Sequence, residues 1–85
     1  MHEYYVIYGW SDCPYCVEAK EILIRHEKQF MLCLLDESPV LLNMLKEKHG
    51  WETVPMIIHY TKNITKQWTP EFVGGCSNLK TLFPE

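Results

Sequence analysis

The stretch GWSDCPYCVEAK, residues 9–20, sets a proline and a tyrosine between two cysteines and then runs directly into a pattern of helical spacing. Pro14 suits the first position of a helix, where its missing N–H removes a donor that has no intrahelical partner, so Cys13 falls at the N-cap. Upstream, EYYVIYG at residues 3–9 is rich in β-branched and aromatic side chains and ends in glycine, as a strand entering a loop does. Downstream, Val17, Ala19, Ile22, Leu23 and Ile24 predict a broad apolar helix face that ends near Lys28. The uninterrupted run FMLCLL, residues 30–35, predicts a strand covered on both faces. Strand, helix and strand make a βαβ unit with a parallel pair, which places the chain in the α/β class.

The second half carries its own punctuation. Ser38 and Pro39 supply an N-cap and a first-turn proline, Leu41, Leu42 and Leu45 recur on one face, and His49-Gly50 closes a second helix. After Val54-Pro55 the run MIIHY reads as a third strand, the polar stretch TKNITKQWTP (61–70) as a long connection, and EFVGG as a fourth strand. Ser77 or Asn78 caps a short last helix running through Phe83, which Pro84 stops. The element order is β-α-β-α-β-β-α, in one domain spanning residues 1–85.

Composition narrows the function classes. Apolar residues make up 47% and charged residues 22% of the chain, a globular balance, and the net charge of −3 argues against a broad electrostatic grip on nucleic acid. The N-terminal MHEYYVIYG lacks the charged head and apolar run of a secretion signal, and no apolar stretch approaches a membrane span, so a cytoplasmic protein is expected. Four cysteines, Cys13, Cys16, Cys33 and Cys76, allow two disulfides in three pairings. In a reducing cytosol they are expected as thiols, and a Cys-x-x-Cys pair there serves catalysis or metal more often than as a staple. Zinc is disfavoured, since Cys33, Cys76 and the scattered histidines form no second knuckle.

Placing Cys13 at a helix start has a chemical result. Unpaired N–H groups and the positive end of the helix dipole favour a thiolate, whereas Cys16, one turn further in, is more enclosed. Lowering a thiol's pKa gains thiolate but loses nucleophilicity, and for attack alone the two effects nearly cancel. The larger benefit comes afterwards, because a sulfur of low pKa leaves readily when a second thiol attacks the mixed disulfide. Such a pair suits repeated capture and release of a sulfur partner.

At this point the chain resembles the dithiol glutaredoxins. Cys13-Pro14-Tyr15-Cys16 is similar to their active-site tetrapeptide, Thr53-Val54-Pro55 to their TVP segment, and Gly74-Gly75-Cys76-Ser77 to their GG-C-S segment, in the family's order and spacing. The resemblance implies a thioredoxin-like fold: a four-stranded mixed sheet in order 2-1-3-4, flanked by three helices, two on one face and one on the other. It also implies that Cys13 takes glutathione from a glutathionylated substrate, that Cys16 resolves mixed disulfides with proteins, and that glutathione, a co-substrate rather than a bound cofactor, reduces the enzyme. By the same resemblance Pro55 is cis, the backbone beside it pairs with glutathione as an added strand, and Tyr15, Thr53, Val54, Gly75, Cys76, Ser77 and Asn78 line the glutathione groove. Expected partners are glutathione and disulfide or glutathionylated proteins, among them ribonucleotide reductase, with the enzyme acting as a monomer.

Several positions depart from the family's pattern. Trp10 stands where lysine or arginine is usual, Glu52 where many members have arginine, and Asn78 where many have aspartate. Glutathione is a net anion, so a lower-affinity site is expected unless Lys20 or a lysine of the 61–70 segment compensates. Trp10 and Glu52 favour an alternative: a redoxin that donates electrons to ribonucleotide reductase and is recycled by thioredoxin reductase. A different class, a module holding an iron–sulfur cluster through Cys13 and glutathione, is disfavoured by the proline after the first cysteine. Cys33 reads as a small buried hydrophobe and Trp51 as packing; Cys76 falls at the groove's rim, where an oxidisable extra thiol is the lesser reading.

Overall fold

The computed structural model describes residues 2–83, so the expected stop at Pro84 lies outside the described residues. Seven elements follow in the expected order: β1 (His2–Gly9), α1 (Pro14–Arg25), β2 (Phe30–Leu34), α2 (Pro39–His49), β3 (Met56–Lys62), β4 (Trp68–Gly74) and α3 (Cys76–Leu82). The strands form one sheet in the order β2-β1-β3-β4. β1 runs parallel to β2, and the pairs β1–β3 and β3–β4 are antiparallel. This is the mixed sheet order 2-1-3-4 that the resemblance implies.

Alternation along β1 divides the sheet into two faces. Tyr5 and Ile7 point to one side and join Ala19, Ile22 and Leu23 of α1, Ile57 of β3, and Cys76 and Leu79 of α3 in a single buried cluster. Tyr4, Val6 and Tyr8 face the other way. On that second face the end of α2 reaches the sheet through His49, whose ring stacks 4.4 Å from that of Phe72, and Trp51 meets the same phenylalanine edge-on at 5.3 Å.

Both long helices end in the same motif. After α1, Glu27 adopts a left-handed φ of 56°, its N–H bonds Ile24 O, and the N–H of Lys28 reaches back to Leu23 O at 2.8 Å, so α1 stops at Arg25, short of Lys28. After α2, Gly50 takes the left-handed position (φ 59°) and Trp51 N–H bonds Lys46 O at 2.9 Å.

Four other expectations need correcting. Val17 and Ile24 are exposed, because α1 buries only the stripe Cys16, Ala19, Ile22 and Leu23. β2 is not covered on both faces: it is an edge strand, α2 buries no residue, and Met31, Leu32 and Leu34 remain exposed. The 61–70 stretch is not a long connection, since β3 continues to Lys62 and β4 begins at Trp68. The turn between them is organised by Asn63, whose Oδ1 accepts the N–H groups of Thr65 (3.0 Å) and Gln67 (3.2 Å). Pro70 is tolerated in β4 because β4 is the other edge of the sheet. Finally, α3 is capped at Gly75 rather than at Ser77 or Asn78.

Candidate active site

The functional residues gather where β1 ends and β3 begins. The loop after β1 is pinned at Ser11, whose N–H donates to Asp36 Oδ1 at 2.9 Å and whose hydroxyl donates to Asp36 Oδ2. These bonds, the hydroxyl's first, hold the Asp36 carboxyl below the usual carboxylate range. The adjacent N–H of Leu35 bonds Gly9 O at 2.8 Å, so the loop and the end of β2 are tied at two places.

Cys13 then occupies the N-cap of α1 in an extended conformation (φ −141°, ψ 106°), with Pro14 in the first turn as the sequence predicts. Its Sγ accepts the N–H of Cys16 at 3.2 Å, and its carbonyl accepts that of Val17 at 3.1 Å. Cys16, only 3% exposed, lies against Gly9: a methyl carbon added to that glycine would sit 2.4 Å from Cys16 Sγ. Burial first, and then the hydrogen bond with Cys13, push the Cys16 thiol up to about 12. The two sulfurs are thereby chemically distinct: Cys13 sits at the mouth of a helix start with a donor aimed at it, and Cys16 is held as a protonated thiol behind it.

The Val54–Pro55 bond is cis, as the resemblance implies, and Pro55 is buried. The proline links the other parts of the site. A methyl added to Gly9 would lie 4.0 Å from Pro55 Cβ, and one added to Gly75 would lie 3.7 Å from both Pro55 O and the Trp51 ring. Glycine at 75 therefore leaves open the space beside the proline's backbone. Thr53, Ser77, Asn78 and Tyr15 are exposed around this centre, Tyr15 at 64%.

Asn78, which the resemblance places along the groove, makes a bond within its own turn. Its Oδ1 accepts the N–H of Gly75 at 3.1 Å and fills the space where a side chain on Gly74 (φ 116°) would project. It thus fixes the start of α3 and the backbone of the glycine pair. Cys76 is buried at the start of the same helix, and its thiol is pushed up by burial and next by the charge of Glu18. Glu18 in turn pairs with Lys80 across the α1–α3 boundary at 2.5 Å.

Sequence reasoning missed that pair, and Trp51's place beneath Gly75, because both join residues from separate elements with no spacing to link them. Nor do the hairpin lysines lie where an anion at the redox end could use them. Lys62 pairs in register with His2, at the opposite end of β1 from Gly9, about 23 Å away at roughly 3.3 Å per residue. Trp10 and Glu52 are both exposed.

Comparison with known proteins agrees with this geometry. Residues 5–62 match the family described as Glutaredoxin. The chain belongs to the glutaredoxin family. A protein named glutaredoxin from Pseudomonas aeruginosa is 38% identical over 78 residues, covering 91% of this chain and 81% of that protein. The dithiolic glutaredoxin of Trypanosoma brucei brucei superposes with a TM-score of 0.69 at 31% identity, over 92% of this chain and 74% of its own. The buckwheat glutaredoxin, solved as a complex with glutathione, shares the fold with a TM-score of 0.70 at 20% identity, over 89% of this chain and 64% of its own. As a glutaredoxin the chain is a thiol oxidoreductase, and Cys13 and Cys16 are its dithiol.

Proposed function

We propose that this glutaredoxin reduces glutathione mixed disulfides and protein disulfides at the expense of glutathione. The observation that carries the proposal is the asymmetry of the dithiol: both cysteines are buried, but Cys13 stands at the N-cap of α1 with the Cys16 N–H aimed at its sulfur, whereas Cys16, one turn behind, has its thiol pushed up to about 12. In the one-cysteine route the Cys13 thiolate attacks the glutathione sulfur of a protein–S–SG bond and expels the protein thiolate. A glutathione thiolate then attacks the Cys13–SG disulfide, releasing glutathione disulfide and restoring Cys13. In the two-cysteine route Cys13 attacks a protein disulfide, and Cys16 gives up its proton and attacks Cys13. The reduced protein leaves, and the Cys13–Cys16 disulfide is reopened by two glutathiones.

The main-chain groups of Thr53, Val54 and Pro55, in the bend before β3 and around the cis bond, face the cysteinyl part of glutathione, and Gly75, Cys76 and Ser77 flank its γ-glutamyl end. That a protein of the same fold, the buckwheat glutaredoxin, is solved with glutathione supports glutathione as the ligand. With Trp10 and Glu52 in place of cations and the hairpin lysines at the far end of the sheet, Lys20 of α1 is the remaining candidate to compensate, and without it glutathione binds more weakly here than in lysine-bearing relatives. The same two residues favour a second reading, in which the protein works in the cytoplasm as a monomeric donor to ribonucleotide reductase and thioredoxin reductase recycles it.

The test is turnover of a glutathione–cysteine mixed disulfide with glutathione, glutathione reductase and NADPH, beside a Cys13→Ser control. Turnover abolished in the control supports the glutathione route. A folded, reduced protein that is inactive with glutathione but active with thioredoxin reductase moves the assignment to the second reading.

A further inference from the structure

The extended β3–β4 hairpin builds a second concave surface at the end of the sheet remote from the dithiol. Tyr4 and Tyr60, paired in register, stack with centroids 4.9 Å apart, and Trp68 meets Tyr4 edge-on at 5.0 Å. All three lie on the face opposite the buried cluster, on the half of that face beyond the contact of His49 and Trp51 with Phe72. Beside them is a cleft of about 720 Å³ between the sheet end and β2, with Phe30 and Met31 on its far wall. Trp68 stays 44% exposed and Met31 63%. A second cleft of about 570 Å³, toward Ile64 and Lys66, adjoins it across His2 and Lys62.

The charge here runs against the chain's net −3. His2, Lys28, Lys62 and Lys66 border the two clefts, whereas the acidic residue among them, Glu3, is already engaged by Lys28 at 3.4 Å and His59 at 3.0 Å. Lys62 holds its ammonium over the Trp68 ring at 5.6 Å, and among the described residues neither it nor Lys66 pairs with a carboxylate. An aromatic and thioether floor rimmed by free ammonium groups complements an apolar anchor flanked by carboxylates. Two clefts joined end to end suit an extended segment better than a compact molecule.

We propose that this surface docks an acidic peptide segment of the disulfide-bearing protein substrate, with an aromatic or aliphatic side chain seated beside Trp68 and Met31. The inference deepens the proposed thiol–disulfide function and rests on it for the word substrate, though not for binding. The cleft and Gly9 stand about 23 Å apart along β1, so the docked segment must lie at least about seven extended residues from the cysteine that reaches Cys13. Docking there leaves the glutathione groove free.

The test has two arms. In the first, a fluorescein-labelled, cysteine-free peptide of alternating Glu, Asp and Phe is titrated into the protein by anisotropy, beside its Lys/Phe counterpart and a single-stranded oligothymidylate. Binding of the acidic peptide that weakens about tenfold in Lys62→Glu, and falls with added salt, is the expected result. Equal binding of the acidic and basic peptides, no effect of Lys62→Glu, or preference for the oligonucleotide overturns the proposal. In the second arm, S-glutathionylated peptides carrying the acidic segment eight residues from the cysteine are compared with a glutathione–cysteine mixed disulfide. Lys62→Glu and Trp68→Phe should raise KM for the acidic peptide about tenfold and leave turnover of the small disulfide unchanged; a KM unmoved by either variant also overturns it. An inactive enzyme that still binds the peptide in the first arm sinks the redox assignment and supports the cleft.

Discussion

Gly9→Ala is the perturbation that most sharply probes how the dithiol is housed. The added methyl would sit 2.4 Å from Cys16 Sγ and 3.2 Å from Cys16 Cβ, in a place where Cys16 is almost wholly buried. Unstrained contacts need about 3.5–4.0 Å, so the sulfur has to retreat by about 1 Å or more into a packed cluster. Overpacking of that kind costs roughly 1–3 kcal/mol, and the buried position of Cys16 places this case near the upper end, about 2–3 kcal/mol. The assay is urea unfolding of the reduced protein for wild type, Gly9→Ala, Cys16→Ala and the double variant. Removing the sulfur relieves the closest contact but not the one to Cβ, so the cost of Gly9→Ala should fall by about 1 kcal/mol or more in the Cys16→Ala background. An identical cost in both backgrounds refutes the reasoning, since the clash would then lie elsewhere.

Further outcomes follow from the same geometry. Because burial raises the folded-state pKa of Cys16 to about 12, the stabilising contribution of the neutral thiol is complete below the unfolded value of about 8.5 and is lost as pH rises toward 12; urea midpoints of the reduced protein should fall over that window, and less in Cys16→Ala. Asp36 has the opposite sign: its depressed carboxyl stabilises above about 3.9 and ceases to as pH falls through its folded value, and Ser11→Ala should return the titration followed by NMR toward the ordinary range. Asn78→Ala removes the acceptor for Gly75 N–H and should cost about 1 kcal/mol in unfolding free energy while raising KM for glutathione; unchanged stability would show that the bond does not hold the start of α3.

Legibility varied along the chain for physical reasons. Pro14 after Cys13, Pro39 after Ser38 and Gly50 after His49 are local signals whose meaning does not depend on the rest of the fold, and all three marked their helix ends correctly. The end of α1 was harder, because a glutamate occupies the left-handed position where glycine is the usual signal. The FMLCLL run reads as doubly covered because apolarity alone does not separate a central strand from an edge strand with exposed apolar side chains. The hairpin extends further than its sequence suggests because polar residues dominate its exposed strand ends, and Pro70 argues against a strand unless that strand is an edge. At the site, the cysteine pair and the residues around Pro55 and Gly75 were legible from motif and spacing. The inward use of Asn78, the Glu18–Lys80 pair and the support of Gly75 by Trp51 depend on tertiary approach, which spacing does not encode.

The central claim is that Cys13, and none of the other thiols, carries glutathione between donor and acceptor. The direct measurement is to treat reduced Cys16→Ser with glutathione disulfide at neutral pH for a short time and locate the adduct by intact and peptide mass spectrometry. One glutathionyl group on Cys13, removed by added glutathione, is the result predicted from its place at the N-cap of α1, with the Cys16 N–H aimed at its sulfur. First modification at Cys33 or Cys76, or a Cys13 that stays unmodified in the folded protein, contradicts it.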